Sequence, residues 1–268
     1  EGTKRIFAFA AAGGGIPIHY DSTMTVRPEE GFVADTVVTE SSPLKRKDEV
    51  FASPESVEFP LEMATTGYMQ TKWVAEKLIP RARSRGLDIS VCRFGVPVGN
   101  RWTGWVPKEQ FFWPAVRATV ELGIVPDLDV EFYMAPIDFI ADVQVELSRR
   151  TDVTNEIYDP GHFHAYPLED LRGMLEAYGY SCERVALETW QGRASDVLPE
   201  LLERMRPLFA PVFELPAHTI EERVGYVLDC SKTAALLGVD PETIPRIDDS
   251  YFTATLDYLR ETDFLPEP

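Results

Sequence analysis

Tyr68 and Lys72 stand four residues apart in Gly67-Tyr68-Met69-Gln70-Thr71-Lys72, and no other spacing in this 268-residue sequence carries clearer chemistry. On a helix, positions i and i+4 lie one above the other on the same face. A lysine ammonium beside a phenol favours the phenolate, which lowers the tyrosine pKa from its ordinary value of about 10 and makes it a usable proton donor near neutral pH. The spacing also occurs on helix faces that merely meet solvent, so it gains its weight from the surroundings. Thr23 follows an apolar run upstream, where its hydroxyl could bind the same substrate carbonyl. Downstream, the turn Gly95-Val96-Pro97-Val98-Gly99 closes a second apolar run. Ligands of a doubly wound sheet lie outside the carboxyl ends of its strands, so three separate segments point at one crevice.

The elements that must position these residues alternate between helix and strand. Residues 3–12 read as the end of a helix, stopped by Gly13-Gly14-Gly15, and Ile16 to Tyr20 as a short buried strand with Ser22 and Thr23 at its end. From Pro28 to Pro60 the chain is polar and irregular, a long surface loop. Gly67 to Arg85 keeps a helical spacing closed by Gly86, and Ile89 to Phe94 is a buried strand. The aromatic segment Trp102 to Trp113 leads into a helix through Leu122; a further helix spans Ile137 to Leu147, with short strands at Glu156 to Tyr158 and Cys182 to Leu187. This order predicts an α/β fold, a Rossmann-like parallel sheet with a mostly helical substrate lobe. Residues 1–160 form the catalytic part, with 101–135 contributing to the lobe, and residues 161–268 form the lobe proper.

Composition narrows the partners. Forty-four acidic against 26 basic residues give a formal charge of −18, which repels nucleic acid and anionic membrane alike. No run approaches the roughly 18 apolar residues needed to span a bilayer. Three widely spaced cysteines, Cys92, Cys182 and Cys230, suggest neither a disulfide framework nor a metal pair and fit a reducing, cytoplasmic setting. His162 and His164 lack a third ligand at metal spacing, so no metal is expected, and a loop at the mouth of the cleft is the favoured reading. Asp138 reads as the start or cap of its helix, and Arg93 as the partner of an acidic group. Trp102, Trp105, Phe111, Phe112 and Trp113 could line an acyl or pantetheine channel or pack the lobe, with equal weight. Lys45-Arg46-Lys47 reads as a solvated loop rather than a patch for an acidic carrier.

Ser22-Thr23-Met24-Thr25-Val26, the segment from Gly67 to Glu76, and Arg93-Phe94-Gly95-Val96-Pro97-Val98-Gly99 occur in an order that resembles the extended short-chain dehydrogenases. The likeness is greatest to the terminal thioester reductase domains of nonribosomal peptide synthetases and carboxylic acid reductases. Lys72-Trp73-Val74-Ala75-Glu76, Thr103-Gly104, Pro136 to Ala141 and Asp263-Phe264-Leu265-Pro266 extend it over nearly the whole chain. The resemblance implies a catalytic triad of Thr23, Tyr68 and Lys72, which also contacts NADPH, with Phe94, Gly95 and Val96 lining the nicotinamide side. It implies reduction of a thioester, carried on the phosphopantetheine arm of a carrier domain, to an aldehyde or onward to an alcohol. The chain would act as a monomer within a multidomain protein.

Two departures stand beside the likeness. The glycine-rich cofactor fingerprint of that family falls before Glu1, and Gly13-Gly14-Gly15, which follows a helix and precedes a strand, does not replace it. The first strands of the sheet are therefore expected to be missing, which would leave an apolar edge exposed. Asp21 places a carboxylate where the family has an apolar residue. The alternatives are a nucleotide-sugar epimerase or fatty acyl-CoA reductase on the same fold, a non-redox releasing domain, and a non-catalytic module that binds the acyl-pantetheine arm.

Overall fold

The computed structural model describes residues 1–26, 37–44, 67–110, 112–161, 163–197 and 227–268. In chain order the helices are α1 (Gly2–Ala12), α2 (Gly67–Arg83), α3 (Phe112–Leu122), α4 (Ile137–Arg149), α5 (Leu168–Tyr178), α6 (Leu187–Val197), α7 (Ser231–Leu237) and α8 (Asp249–Glu261). The strands are β1 (Ile18–Thr23), β2 (Val37–Thr39), β3 (Ile89–Phe94), β4 (Val96–Val98), β5 (Ile124–Pro126), β6 (Glu131–Pro136), β7 (Ile157–Tyr158), β8 (Ala165–Pro167), β9 (Glu183–Val185) and β10 (Val227–Asp229).

Three parallel strands in the order β1-β3-β7 form the sheet that matters here, and helices cover both of its faces. Successive residues of β3 point to opposite sides, as a strand requires. Ile89 and Val91 meet Ile79 and Ala82 of α2 and Ala10 of α1, while Cys92 meets Val143 and Leu147 of α4. A strand buried on both faces reads as an apolar run, and β3 is that strand. β1 is different: among the described residues it has one neighbour, and His19 and Asp21 are exposed. Ile6 and Phe9 of α1 are exposed as well, at 55% and 70%.

The strand expected at Ile16 to Tyr20 lies instead at Ile18–Thr23. Ile16 belongs to the end of α1, where its backbone N–H and that of Gly15 both donate to the Ala10 carbonyl at 3.1 and 3.0 Å. Its apolar side chain serves the helix terminus rather than the sheet. The shift places Ser22 and Thr23 inside the strand and buries them.

A second core joins β4, β6 and β8 to α3, α5 and α8, and its residues run from Val98 to Leu265. The C-terminal segment is helical as expected, but β8 and β9 pair back onto β6 and β5, which ties residues 165–185 to residues 124–133. α8 presents Tyr251, Phe252, Thr255, Leu256 and Leu259 to this core at helical spacing. None of the helices among the described residues is long and apolar enough to cross a membrane.

Helix α8 also rests directly on the loop after β4. Gly104, at φ +66°, lies where a Cβ would come within 2.0 Å of the Ala254 carbonyl oxygen. Gly104→Ala is expected to cost about 3 kcal/mol or more, because strain and a backbone clash act together. Gly14→Ala, also at positive φ but with open space around it, should cost about 1–2 kcal/mol. Thermal unfolding of the two variants side by side checks the ranking.

Candidate active site

Strands β1 and β3 run in register to a common end, with Thr23 opposite Phe94 and Ser22 opposite Arg93. Helix α2 crosses these ends and carries Tyr68 and Lys72 one turn apart. Tyr68 is 51% exposed, whereas Thr23 is buried at 6%, with its hydroxyl close enough to the phenol to draw the phenol pKa down. The Lys72 ammonium donates to the Asp21 carbonyl oxygen at 2.7 Å and stands 5.8 Å from the centre of the Tyr68 ring and 5.3 Å from that of Tyr20. Thr23, Tyr68 and Lys72 thus come together at the carboxyl ends of two parallel strands. Phe94, Gly95 and Val96 continue from the same end, half-buried, and Gly161 packs against them so closely that a Cβ there would be 3.3 Å from the Phe94 Cβ.

The electrostatics differ from the simple expectation for a lysine beside a phenol. Burial raises the Tyr68 pKa above its ordinary value, and the bond with Thr23 pulls the other way. The Lys72 ammonium is engaged by the Asp21 carbonyl and stands over the Tyr68 ring. Burial in turn lowers the Lys72 pKa, opposed by the nearby Asp21 and Glu76 carboxylates. Tyr20 is pushed up to about 12 by burial, with Glu76, Tyr68 and Asp21 adding to it. Asp21 itself is raised by burial against the pull of Lys72, and its carboxylate accepts from Gln144 Nε2 of α4 at 2.8 Å.

Beneath the crevice lies a polar cluster that no local motif announces. The Glu76 carboxylate accepts from Arg93 Nε at 3.1 Å, from Arg93 Nη2 at 2.7 Å, and from the Ser22 hydroxyl. The side chains of Arg93 and Glu76 are 2% and 3% exposed. Arg93 therefore has the acidic partner expected of it. The spacing Tyr68, Lys72, Glu76 at i, i+4 and i+8 was the available signal for Glu76.

The remaining residues singled out from sequence separate from the site. Asp138 lies in the first turn of α4 but does not cap it; its carboxylate takes the backbone N–H and Nε of Arg101 at 2.9 and 2.5 Å. The aromatic group is split, with Phe112 and Trp113 in the core and Trp102 and Trp105 at 80% and 48% exposure. His164 is buried beside the Ile244 carbonyl at 3.1 Å. Burial pushes the Cys92 thiol up to about 12, which suits a core residue and not a nucleophile. Phe111, His162, Lys45, Arg46 and Lys47 lie outside the described residues.

The donor set fits a nicotinamide nucleotide and a carbonyl substrate: a half-exposed phenol, a hydroxyl bonded to it, and an ammonium one turn away, all at strand ends. Comparison with known proteins agrees on a nicotinamide nucleotide. Residues 1–144 match the NAD-binding family described as male sterility protein. Over 263 residues the chain is 30% identical to a linear gramicidin synthase of Brevibacillus parabrevis, covering 97% of this chain and 5% of that protein. It is 28% identical over 281 residues to L-2-aminoadipate reductase of Saccharomyces cerevisiae, covering 99% of this chain and 19% of the relative. The terminal R domain from the myxalamid PKS-NRPS biosynthetic pathway superposes with a TM-score of 0.73 at 25% identity, over 94% of this chain and 59% of that one. The chain thus spans a small part of the curated relatives it matches.

The polar cluster makes a stability prediction. Arg93→Ala strands a buried carboxylate without its cation and should cost about 3–5 kcal/mol in urea unfolding. A loss below about 1 kcal/mol, the range of ordinary surface changes, would mean that the pair does not hold the site together.

Proposed function

Because this chain belongs to the NAD-binding family described as male sterility protein, we propose that it is the catalytic and substrate-binding part of a nicotinamide-dependent thioester reductase. The reaction is release of an acyl or peptidyl chain from the phosphopantetheine arm of a carrier domain, as an aldehyde and, after a second round, an alcohol. The observation that carries this reading is the meeting of Thr23, Tyr68 and Lys72 at the ends of β1 and β3. The relatives support it. One is by name a reductase, one is a terminal R domain, and the two curated proteins are many times longer than this chain, the setting in which a carrier partner would be tethered.

The cofactor, which we take to be NADPH, supplies a hydride to the carbonyl carbon when bound. Tyr68 gives its proton to the carbonyl oxygen, and Thr23 hydrogen-bonds that same oxygen. Lys72 holds the nicotinamide ribose through its ammonium, while Phe94, Gly95 and Val96 offer backbone to the nicotinamide face. The thiohemiacetal left on the substrate then expels the pantetheine thiol and becomes the aldehyde. Residues 161–268, with 101–135, form the lobe that receives the acyl chain. The three cysteines at 92, 182 and 230 are buried and free, in keeping with a reducing, cytoplasmic compartment.

Turnover of an acyl-pantetheine thioester with NADPH by the full chain tests this directly. Tyr68→Phe should lower kcat by about 10²–10⁴-fold with little change in KM. Retention of turnover within about threefold would remove Tyr68 from the chemistry. The alkaline limb of kcat follows from the shifts. Tyr68, raised by burial, keeps its proton past its ordinary range, while Lys72, lowered by burial, gives up its charge below its ordinary range. A limb set by Lys72 falls below the ordinary lysine value of about 10.4, and one set by Tyr68 lies above the ordinary phenol value of about 10. Lys72→Arg, whose cation does not titrate, should move the limb upward in a pH–rate profile.

A further inference from the structure

Glu76 lies one turn beyond Lys72 and two beyond Tyr68 on α2, so the three share the helix face that meets the strand ends. Its carboxylate is 4% exposed at the residue level and is held by Ser22 and Arg93. Ser22 is the chain neighbour of Thr23, and Arg93 that of Phe94. Each partner of the carboxylate is therefore one residue away from a group that faces the crevice. A buried ion pair is seldom the most stable way to dock a helix, since packed apolar residues of similar volume do as well or better. What the pair adds is direction and charge, delivered where Tyr68 and Lys72 need both.

We propose that Glu76 is a positioning residue for the reduction: through Ser22 and Arg93 it sets the spacing of Thr23 and Phe94 from the Tyr68–Lys72 face, and its charge acts on the Lys72 ammonium. The proposal rests on the reductase reading above. The groups around Lys72 are Asp21 and Tyr20 of β1, Tyr68 and Glu76 of α2, and Arg93 of β3 beyond Glu76, with Gln144 of α4 bonded to Asp21. Burial drives Lys72 toward its neutral form, and the Asp21 and Glu76 carboxylates resist it. Removing the Glu76 charge leaves Arg93 uncompensated and withdraws the smaller share of that resistance, so the Lys72 ammonium loses its proton at lower pH.

The test compares wild type with Glu76→Gln in the full-length protein, by two readouts. The first is the pH dependence of Lys72 acetylation by acetic anhydride, read on its peptide by mass spectrometry, which reports the lysine whether or not the enzyme turns over. The second is the pH profile of kcat on an acyl-pantetheine thioester. In Glu76→Gln the Lys72 titration and the alkaline limb should both fall by about one pH unit. The plateau kcat should fall about tenfold with KM little changed, and Glu76→Asp should restore part of the loss. If Glu76→Gln does not fold, Glu76→Gln/Arg93→Gln removes both buried charges together and takes its place, with a smaller shift in the same direction. A folded variant with wild-type Lys72 titration and turnover would overturn the proposal. A shifted Lys72 titration in a protein that reduces no thioester would keep the link to Lys72 and remove the reductase reading.

Discussion

The Glu76–Arg93–Ser22 cluster is the constraint on which the site depends. It ties one helix and two strands together at a depth where water cannot substitute for any of the partners. Without it, the ends of β1 and β3 would still run in register, since their ladder is independent of the helix. The face of α2 that bears Tyr68 and Lys72 would keep the bond from Lys72 to the Asp21 carbonyl and the packing of Met69 and Trp73 on Val26, but would lose its buried polar anchor to both strands. Apolar contacts from Ile79 and Ala82 press the far half of α2 onto the sheet but act with no directional preference. The polar cluster supplies the direction, close to the chemistry.

Around this point the molecule divides its labour. The β1-β3-β7 sheet with α1 and α2 on one side and α4 on the other is a rigid platform that ends in the site. The second core is attached through the loop after β4: Arg101 reaches Asp138 at the start of α4, and the Tyr251 hydroxyl of α8 donates to the Gly99 carbonyl at 2.5 Å. The same short loop therefore touches the platform and the C-terminal helix. Its two exposed tryptophans, Trp102 and Trp105, are presented from a fixed frame.

Much of this could be read from the residues because the signals were local. Gly86, at φ +90°, closes the turn after α2 much as helix spacing implied, and β3 falls at Ile89–Phe94 as its apolar run required. Thr23, Tyr68 and Lys72 were legible as a group because each sits at the end of an element or on one helix face. The misreadings share a cause. Ile16 looked like strand but serves the end of α1, and the aromatic run, weighed between a channel and lobe packing, splits between core and surface. In each case a contact outside the expected element outbid the local preference. The role of Glu76 was hidden for the same reason, since its meaning depends on the register of two strands it does not belong to. Even the Tyr68–Lys72 pair was simplified: the lysine's first partner is a backbone carbonyl, and burial governs the phenol.

The claim at the centre is that this crevice passes a hydride to a thioester carbonyl while Tyr68 supplies the proton. The most direct measurement is the fate of deuterium from NADPH labelled at the hydride position, with an acyl-pantetheine thioester as substrate and mass spectrometry of the released product. One deuterium at the aldehyde carbon, with release nearly abolished in Tyr68→Phe, is the expected result. Release of an unlabelled acid or cyclised product at an undiminished rate would contradict it.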